Sequence, residues 1–209
     1  MNIATAADRS RVPFTDLIDL ASEMLGGRVL ETNDDFFAPK ENLISAAAPV
    51  FIPDKYTEFG KWMDGWESRR KRNLAPGNDH DWCVLRLGAP GVIHGVDVDT
   101  AFFTGNYPEY CSLEAVYAPE ESGVPKSTNW TEILPKAQLR GGTRNLFAIA
   151  SSETWTHLRL KIFPDGGVAR LRVHGQVRPD WSRIKKANGH IDLAAAENGA
   201  EVVTCNDMY

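Results

Sequence analysis

Leu158-Arg159-Leu160-Lys161-Ile162, then Pro164-Asp165-Gly166-Gly167, then Arg170-Leu171-Arg172-Val173 is the stretch that decides the fold. Leu158, Leu160 and Ile162 fall on one face of an extended chain, with Arg159 and Lys161 on the other, because side chains alternate across a strand. Leu171 and Val173 repeat the pattern opposite Arg170 and Arg172. The Pro-Asp-Gly-Gly between them has turn chemistry, so the stretch predicts a β-hairpin with the arginines on its polar face.

Working outward, the same period recurs upstream. Val84 to Leu87 and Val92 to Asp99 predict two strands joined by a turn at Gly88-Ala89-Pro90-Gly91. A strand is expected over 28–32, another over 114–117, and a polar loop over 120–127. Near the amino terminus Leu17, Leu20, Ala21 and Met24 recur at helical spacing behind Thr15 and Asp16, and Gly26-Gly27 closes the segment. The fold class expected is all-β, an antiparallel jelly-roll β-sandwich with a short N-terminal helix.

The chain has 209 residues, long enough for one substantial core or two smaller ones. Its formal net charge is −5 and its basic residues are scattered, a poor footprint for a nucleic-acid backbone. No long apolar run predicts a membrane partner. Residues 1–11 have no apolar core of a secretory signal, and Cys83, Cys111 and Cys205 form neither a disulfide framework nor a CxxC pair, so a cytoplasmic location is expected.

The chemistry concentrates in residues 61–82. Three indoles (Trp62, Trp66, Trp82), the carboxylates Asp64 and Glu67, the run Arg69-Arg70-Lys71-Arg72 and His80 between Asp79 and Asp81 share about twenty positions. A solvated surface has no use for three tryptophans, and a core admits such charges only with fixed partners, so a polar pocket walled by aromatics is expected. A salt-bridged loop beneath a sheet edge is the structural alternative. Asp34 and Asp35, in an acidic turn before Phe36 and Phe37, fit either turn capping or a site.

The last segment repeats the first. Asp19, Leu20, Ala21, Gly26, Val29, Asn33 and Asp34 recur 173 positions later as Asp192, Leu193, Ala194, Gly199, Val202, Asn206 and Asp207. A period of domain size predicts a tandem of two similar domains. The expected organisation is a tail over 1–13, a jelly roll over 14–180, and a linker with the shortened start of a second repeat over 181–209, poorly packed or docked on a partner.

With these residues laid out, the chain resembles the allantoicase family, ureide hydrolases of purine breakdown. The resemblance rests on Asp19-Leu20-Ala21-Ser22, Asn33-Asp34-Asp35-Phe36-Phe37-Ala38, Lys61-Trp62-Met63-Asp64-Gly65-Trp66-Glu67-Ser68-Arg69-Arg70, His80-Asp81-Trp82, and Phe103-Thr104-Gly105-Asn106-Tyr107-Pro108. Arg170 to Gly175 is also similar to the closing strand of discoidin-like, galactose-binding jelly rolls. The resemblance implies two jelly rolls, hydrolysis of allantoate to ureidoglycolate and urea, and assembly into homo-oligomers. Most of the family's second repeat is missing from this sequence.

Allantoate carries a carboxylate and two ureido groups on one carbon. Arg69 or Arg70 is a planar fork for the carboxylate, and Asp34, Asp35, Glu67 and Asp97 are acceptors for ureido N–H groups. Trp66 and Asn106 complete the substrate-binding candidates, although a tryptophan here fits a core equally well. Releasing urea is acid and base work, for which His80 and Glu67 are the pair expected, with Asp34 beside them. No cofactor is required; Asp34, His80 and Asp81 are types that ligate a divalent metal, but no ligand spacing is diagnostic. A non-catalytic ligand-binding jelly roll, or an inactive remnant acting in assembly, is the alternative reading.

Overall fold

Asp81–Asp99 forms one strand of 19 residues that borders four others. In the computed structural model, which describes residues 14–127, 129–186 and 190–204, it is the spine of the molecule. In chain order the strands are β1 (Ile18–Asp19), β2 (Arg28–Thr32), β3 (Tyr56–Thr57), β4 (Gly60–Lys61), β5 (Trp66–Glu67) and the spine β6. There follow β7 (Tyr110–Val116), β8 (Thr131–Gln138), β9 (Arg144–Ala148), β10 (Thr154–Phe163), β11 (Gly167–Val168) and β12 (Arg170–Val177), and then the short helix α1 (Trp181–Lys186). Every pairing is antiparallel, and the main sheet runs β1-β12-β6-β10-β7-β8 with β2 and β9 also on β6. This is the jelly-roll architecture that the alternation predicts.

The turn expected at residues 88–91 is instead a bend inside β6. Arg86 faces His157 on β10, but the next paired residue, Gly91, faces Trp155, so residues 87–90 bulge. The bulge hands the strand from β2, opposite residues 83–86, to β12, opposite 91–99. Both glycines serve close approach: a Cβ on Gly88 would lie 2.5 Å from the Leu25 carbonyl oxygen, and one on Gly91 2.7 Å from that of Gln176. The first half then buries Leu85 and Leu87, the second Ile93, Val96 and Val98.

The predicted hairpin is also corrected. β10 pairs with β6 and β7, and β12 with β6 and β1, so these two strands do not pair with each other. Their inward faces are as expected, with Leu158, Leu160, Ile162, Leu171 and Val173 fully buried. A period of two says which face is buried but not which strand lies alongside. The outward residues Arg159 and Lys161 pair with Glu114 of β7. Arg170 does not face solvent: it is 2% exposed and hydrogen-bonded under the loop that carries Asp64.

No helix forms over residues 14–25. Two 3₁₀ turns, Phe14–Asp16 and Glu23–Leu25, flank β1. The Asp19 side chain accepts from the amides of Ala21 at 3.1 Å and Val173 at 2.9 Å, and Leu20 N donates to Val173 O at 2.7 Å. Those bonds take backbone groups that a helix needs, a competition Asp is suited to win. They clip Leu20 into a slot lined by Gly91 and Gly175.

The clip has a counterpart. Ala194 N donates to Asp192 Oδ1 at 2.8 Å, Ala196–Asn198 forms a 3₁₀ turn, and Gly199 closes it at φ 86°, as Gly26 closes the first at φ 95°. Each feature is 173 positions from its likeness. The burial differs: Leu20 is fully buried, whereas Leu193 is 72% exposed and Val202 and Val203 are 86% and 94% exposed. Asn206, Asp207 and Cys205 lie outside the described residues. Among the described residues no helix is long and apolar enough to cross a membrane.

His94, His157 and His174 sit on the sheet. Burial, aided by the charge of Arg86, drives the His157 pKa down to about 4. An unfolded histidine titrates near ~6.5, so the folded state resists a proton that the unfolded chain takes up. The stability this contributes is complete above ~6.5 and is lost as pH falls toward 4, by on the order of 2 kcal/mol. Guanidinium unfolding of wild type and His157→Gln from pH 7.5 to 4.5 is expected to show a steeper decline for the wild type; parallel curves would exclude His157 as the cause.

Candidate functional site

Glu67 is held from both sides. On one, β5 pairs with β11 so that Glu67 faces Gly167. On the other, Glu67 N donates to Ala38 O at 3.1 Å, and the amides of Phe37 and Ala38 donate to Glu67 O at 3.2 and 3.3 Å. Next to it Trp66 is fully buried, and its Nε1 donates to Asp34 O at 2.8 Å. The buried indole anchors the segment and leaves the Glu67 side chain at a cleft.

That cleft is a cavity of about 370 Å³ whose wall includes Glu67, Arg70, Asn106, Tyr107, Glu109 and Asp165. Asn106 Nδ2 donates to Glu67 Oε1 at 2.6 Å. Burial pushes the Glu67 carboxyl pKa upward, against a smaller downward pull from the Asn106 hydrogen bond. A carboxyl so placed keeps a proton more readily than one in water and is suited to hand it to a leaving group.

The opposite wall comes from the turn residues between β10 and β11. Gly166 N donates to Ser68 Oγ at 3.2 Å and Ser68 N to Gly166 O at 3.2 Å, stitching that loop to the end of β5. Asp165 is 7% exposed; its Oδ2 accepts from Lys71 N at 2.8 Å, and Oδ1 lies 3.5 Å from Arg70 Nε. Gly167 lets the two segments close, since a Cβ there would stand 2.0 Å from the buried Phe103 ring. Gly167→Ala is therefore expected to destabilise by about 1–3 kcal/mol through overpacking and to weaken the cleft first. Unfolding and ligand titrations of the variant check this; normal behaviour in both would contradict the wall's description.

The basic run divides its labour. Arg69 Nε pairs with Asp34 Oδ2 at 2.7 Å, Arg70 faces the cavity, and Lys71 Nζ reaches the buried Asp81 Oδ1 at 2.7 Å. Of the residues expected at the site, Glu67, Arg70 and Asn106 come together. The others are elsewhere. Asp34 clamps its own loop, accepting also from Phe36 N at 3.1 Å, and Asp35 lies 3.4 Å from Lys40. Asp97 is 2% exposed on β6 and pairs with Arg144 of the adjacent β9 at 2.5 Å; burial raises its pKa, with Arg144 opposing. Trp66 is core. His80 bonds Asp79 Oδ1 through Nδ1 at 2.9 Å and packs its ring 5.2 Å from Phe163, outside the cavity wall.

Asp165, Tyr107 and Glu109 were not among the expected residues. Asp165 was hidden by its turn-like Pro-Asp-Gly-Gly context, whereas Tyr107 lay beside Asn106 in a string already singled out. Among the described residues no three His, Cys, Asp or Glu side chains cluster as a metal site, and Asp34, His80 and Asp81 each have the separate partners given above.

Comparison with known proteins bears on this geometry. Residues 18–178 match the sequence model of the allantoicase repeat. A probable allantoicase of Nocardia farcinica is 51% identical over 209 residues, covering 98% of this chain and 62% of that protein. The crystal structure of an allantoicase from Saccharomyces cerevisiae superposes with a TM-score of 0.72 at 34% identity, covering 93% of this chain and 58% of that one. A CBM32 module of a Clostridium perfringens glycoside hydrolase has a TM-score of 0.51 at 12% identity, covering 77% and 95%, a likeness of fold alone. The chain spans 55% of the length of one curated relative and 62% of another.

Proposed function

This chain belongs to the allantoicase family, and from that premise we propose that it hydrolyses allantoate to ureidoglycolate and urea in purine breakdown, with Glu67 as the proton carrier. The observation that carries the assignment is Glu67 on the cavity wall, its carboxyl shifted toward the protonated form and fixed by Asn106. Asp165, Glu109 and Glu67 offer acceptors for ureido N–H donors, and Arg70 offers a cation for a ureido carbonyl oxygen. In the proposed step Glu67 gives its proton to the leaving ureido nitrogen as the central C–N bond breaks. A water oxygen bonds to that carbon, and a water proton returns to Glu67, so that one water is consumed and one urea leaves.

His80, Asp34, Asp35, Arg69, Trp66 and Asp97 have supporting roles in this reading, as loop clamps, core or sheet charges. Residues 14–180 are one repeat, and the recurring clip at 192–199 is the opening of a second. Homo-oligomeric assembly and a cytoplasmic location belong to the same proposal. The experiment is urea release from allantoate by the purified chain, beside calorimetric titration with hydantoate, an anionic ureide with no second ureido group to lose. Urea release supports the reading in full, and hydantoate binding without turnover leaves the chemistry to an assembled two-repeat protein. The absence of both urea release and hydantoate binding overturns it.

A further inference from the structure

A second lobe opens on the far side of the Glu67–Asn106 pair. Its volume is about 380 Å³, and it shares Phe37, Glu67 and Asn106 with the polar cavity. The character changes across that divide. The polar side carries Asp165 and Glu109, whereas this side carries Phe51, Phe59, Phe102, Met63 and one cation, Lys61.

Lys61 closes the hairpin made by β3 and β4, opposite Tyr56. Its Nζ lies 4.5 Å from the centre of the Phe51 ring, and no carboxylate among the described residues pairs with it. Phe51 in turn stacks on Phe102, ring centres 5.6 Å apart. Phe102 has φ 69°, in the left-handed region that a bulky side chain enters only at a cost of roughly 1–2 kcal/mol. The turn that imposes this conformation, with Phe103 N donating to Thr100 O at 2.9 Å, gives Phe103 the core position and leaves Phe102 42% exposed. The strain leaves Phe102 only about half-buried. It does hold an aromatic ring in the wall of the lobe, an arrangement that suits a ligand clamp.

We propose that this lobe receives the carboxylate arm of the ureide, with Lys61 as the cation that selects anionic over neutral substrates and Phe51 and Phe102 as its walls. The inference rests on the ureide reading above and deepens it. A substrate carboxylate is repelled by Asp165 and Glu109 on the polar side, where Arg70 is already drawn toward Asp165. Beside Lys61 it meets an ammonium that no described carboxylate neutralises, set against the Phe51 ring in an aromatic wall. The two ureido groups of allantoate then remain for the polar side, with the central carbon at the divide, next to Glu67.

The test uses the 209-residue chain and two probes, hydantoate and its neutral primary amide, titrated calorimetrically against wild type, Lys61→Met and Arg70→Met. Lys61 is exposed, so its substitution leaves the fold in place. Wild type is expected to prefer hydantoate by about tenfold, the size of one partly desolvated charge contact. Lys61→Met is expected to reduce that preference to within twofold without weakening the amide, and Arg70→Met to keep it. A preference that survives Lys61→Met, or that disappears with Arg70→Met instead, overturns the assignment while the binding of both probes preserves the ureide reading. If neither probe binds the wild type while urea is still released from allantoate, this inference alone is overturned; if there is neither probe binding nor urea release, the ureide reading fails and takes this inference with it.

Discussion

Glu67→Gln is expected to lower urea release from allantoate by about 10²–10⁴-fold, the loss typical of a missing general acid, while the protein remains folded and still binds hydantoate. Glutamine keeps the shape and can accept the Asn106 hydrogen bond, but it carries no transferable proton. The stability effect has the opposite sign. A carboxyl whose folded pKa is raised contributes stability fully below its unfolded value, near ~4.3, and loses it as pH rises through the folded value. The charged form of Glu67 is thus a burden on the fold wherever pH favours it, because burial disfavours its charge. Glu67→Gln is expected to gain a few tenths to about 1 kcal/mol there and nothing near pH 4. Guanidinium unfolding in both pH ranges, run beside the urea assay, checks the pair of signs. A variant that loses activity together with stability would point to a structural role for Glu67.

Arg170→Met is expected to cost about 3–5 kcal/mol, the penalty for leaving a buried charge without its partner, or a fall in Tm of about 10 °C for a chain of this size. Its guanidinium donates to Ala47 O at 3.0 Å, Asp64 O at 3.2 Å, Ala169 O at 2.8 Å and Asp64 Oδ2 at 2.9 Å. Asp64 Oδ2 also accepts from Val50 N at 2.9 Å. One side chain therefore ties residues 47–50 and 64 to β12, and the segment tied down runs directly into Glu67. Ureide binding is expected to weaken before the sheet melts. Adding Asp64→Leu to Arg170→Met should restore part of the loss, since the orphaned carboxylate is then gone. A double variant no more stable than the single one would show that the carbonyl contacts, and not the ion pair, dominate.

Arg170 also marks the limit of what the sequence makes legible. Alternation along Leu158, Leu160 and Ile162 and along Leu171 and Val173 correctly separates buried from outward positions, because it depends on the strand's own geometry. It cannot tell that an outward position will be roofed by a loop, and Arg170 is roofed by residues 47–64. Strand partners were equally unreadable: nothing in Gly88-Ala89-Pro90-Gly91 distinguishes a turn from a bulge, since both use glycine for backbone proximity. At the site Glu67 was legible as a carboxylate set among aromatics, and Arg70 and Asn106 with it. His80 has the orienting carboxylate that its flanking aspartates suggested, Asp79, but its ring lies outside the wall of the cavity that holds Glu67. Lys61 stood within the chemistry-rich stretch without a role and Phe102 was not marked, since the roles proposed for them rest on a backbone strain and on the lack of an ion pair among the described residues, neither of which has a local sequence signature.

The bend in β6 has a consequence for how the molecule opens. Residues 83–86 lie between β2 and β10, and residues 91–99 are hydrogen-bonded along β12, with β9 on the other side from 95 to 99. Peripheral strands such as β8 can detach while β6 keeps its neighbours, but exposing β6 requires partners on both flanks to leave together. Its amides are therefore the ones whose exchange with deuterium reports global unfolding, and those of β8 and the β3–β4 hairpin belong to cheaper, local openings. Because that hairpin carries Lys61, the ligand-facing edge of the cleft can breathe on a timescale that leaves the spine closed.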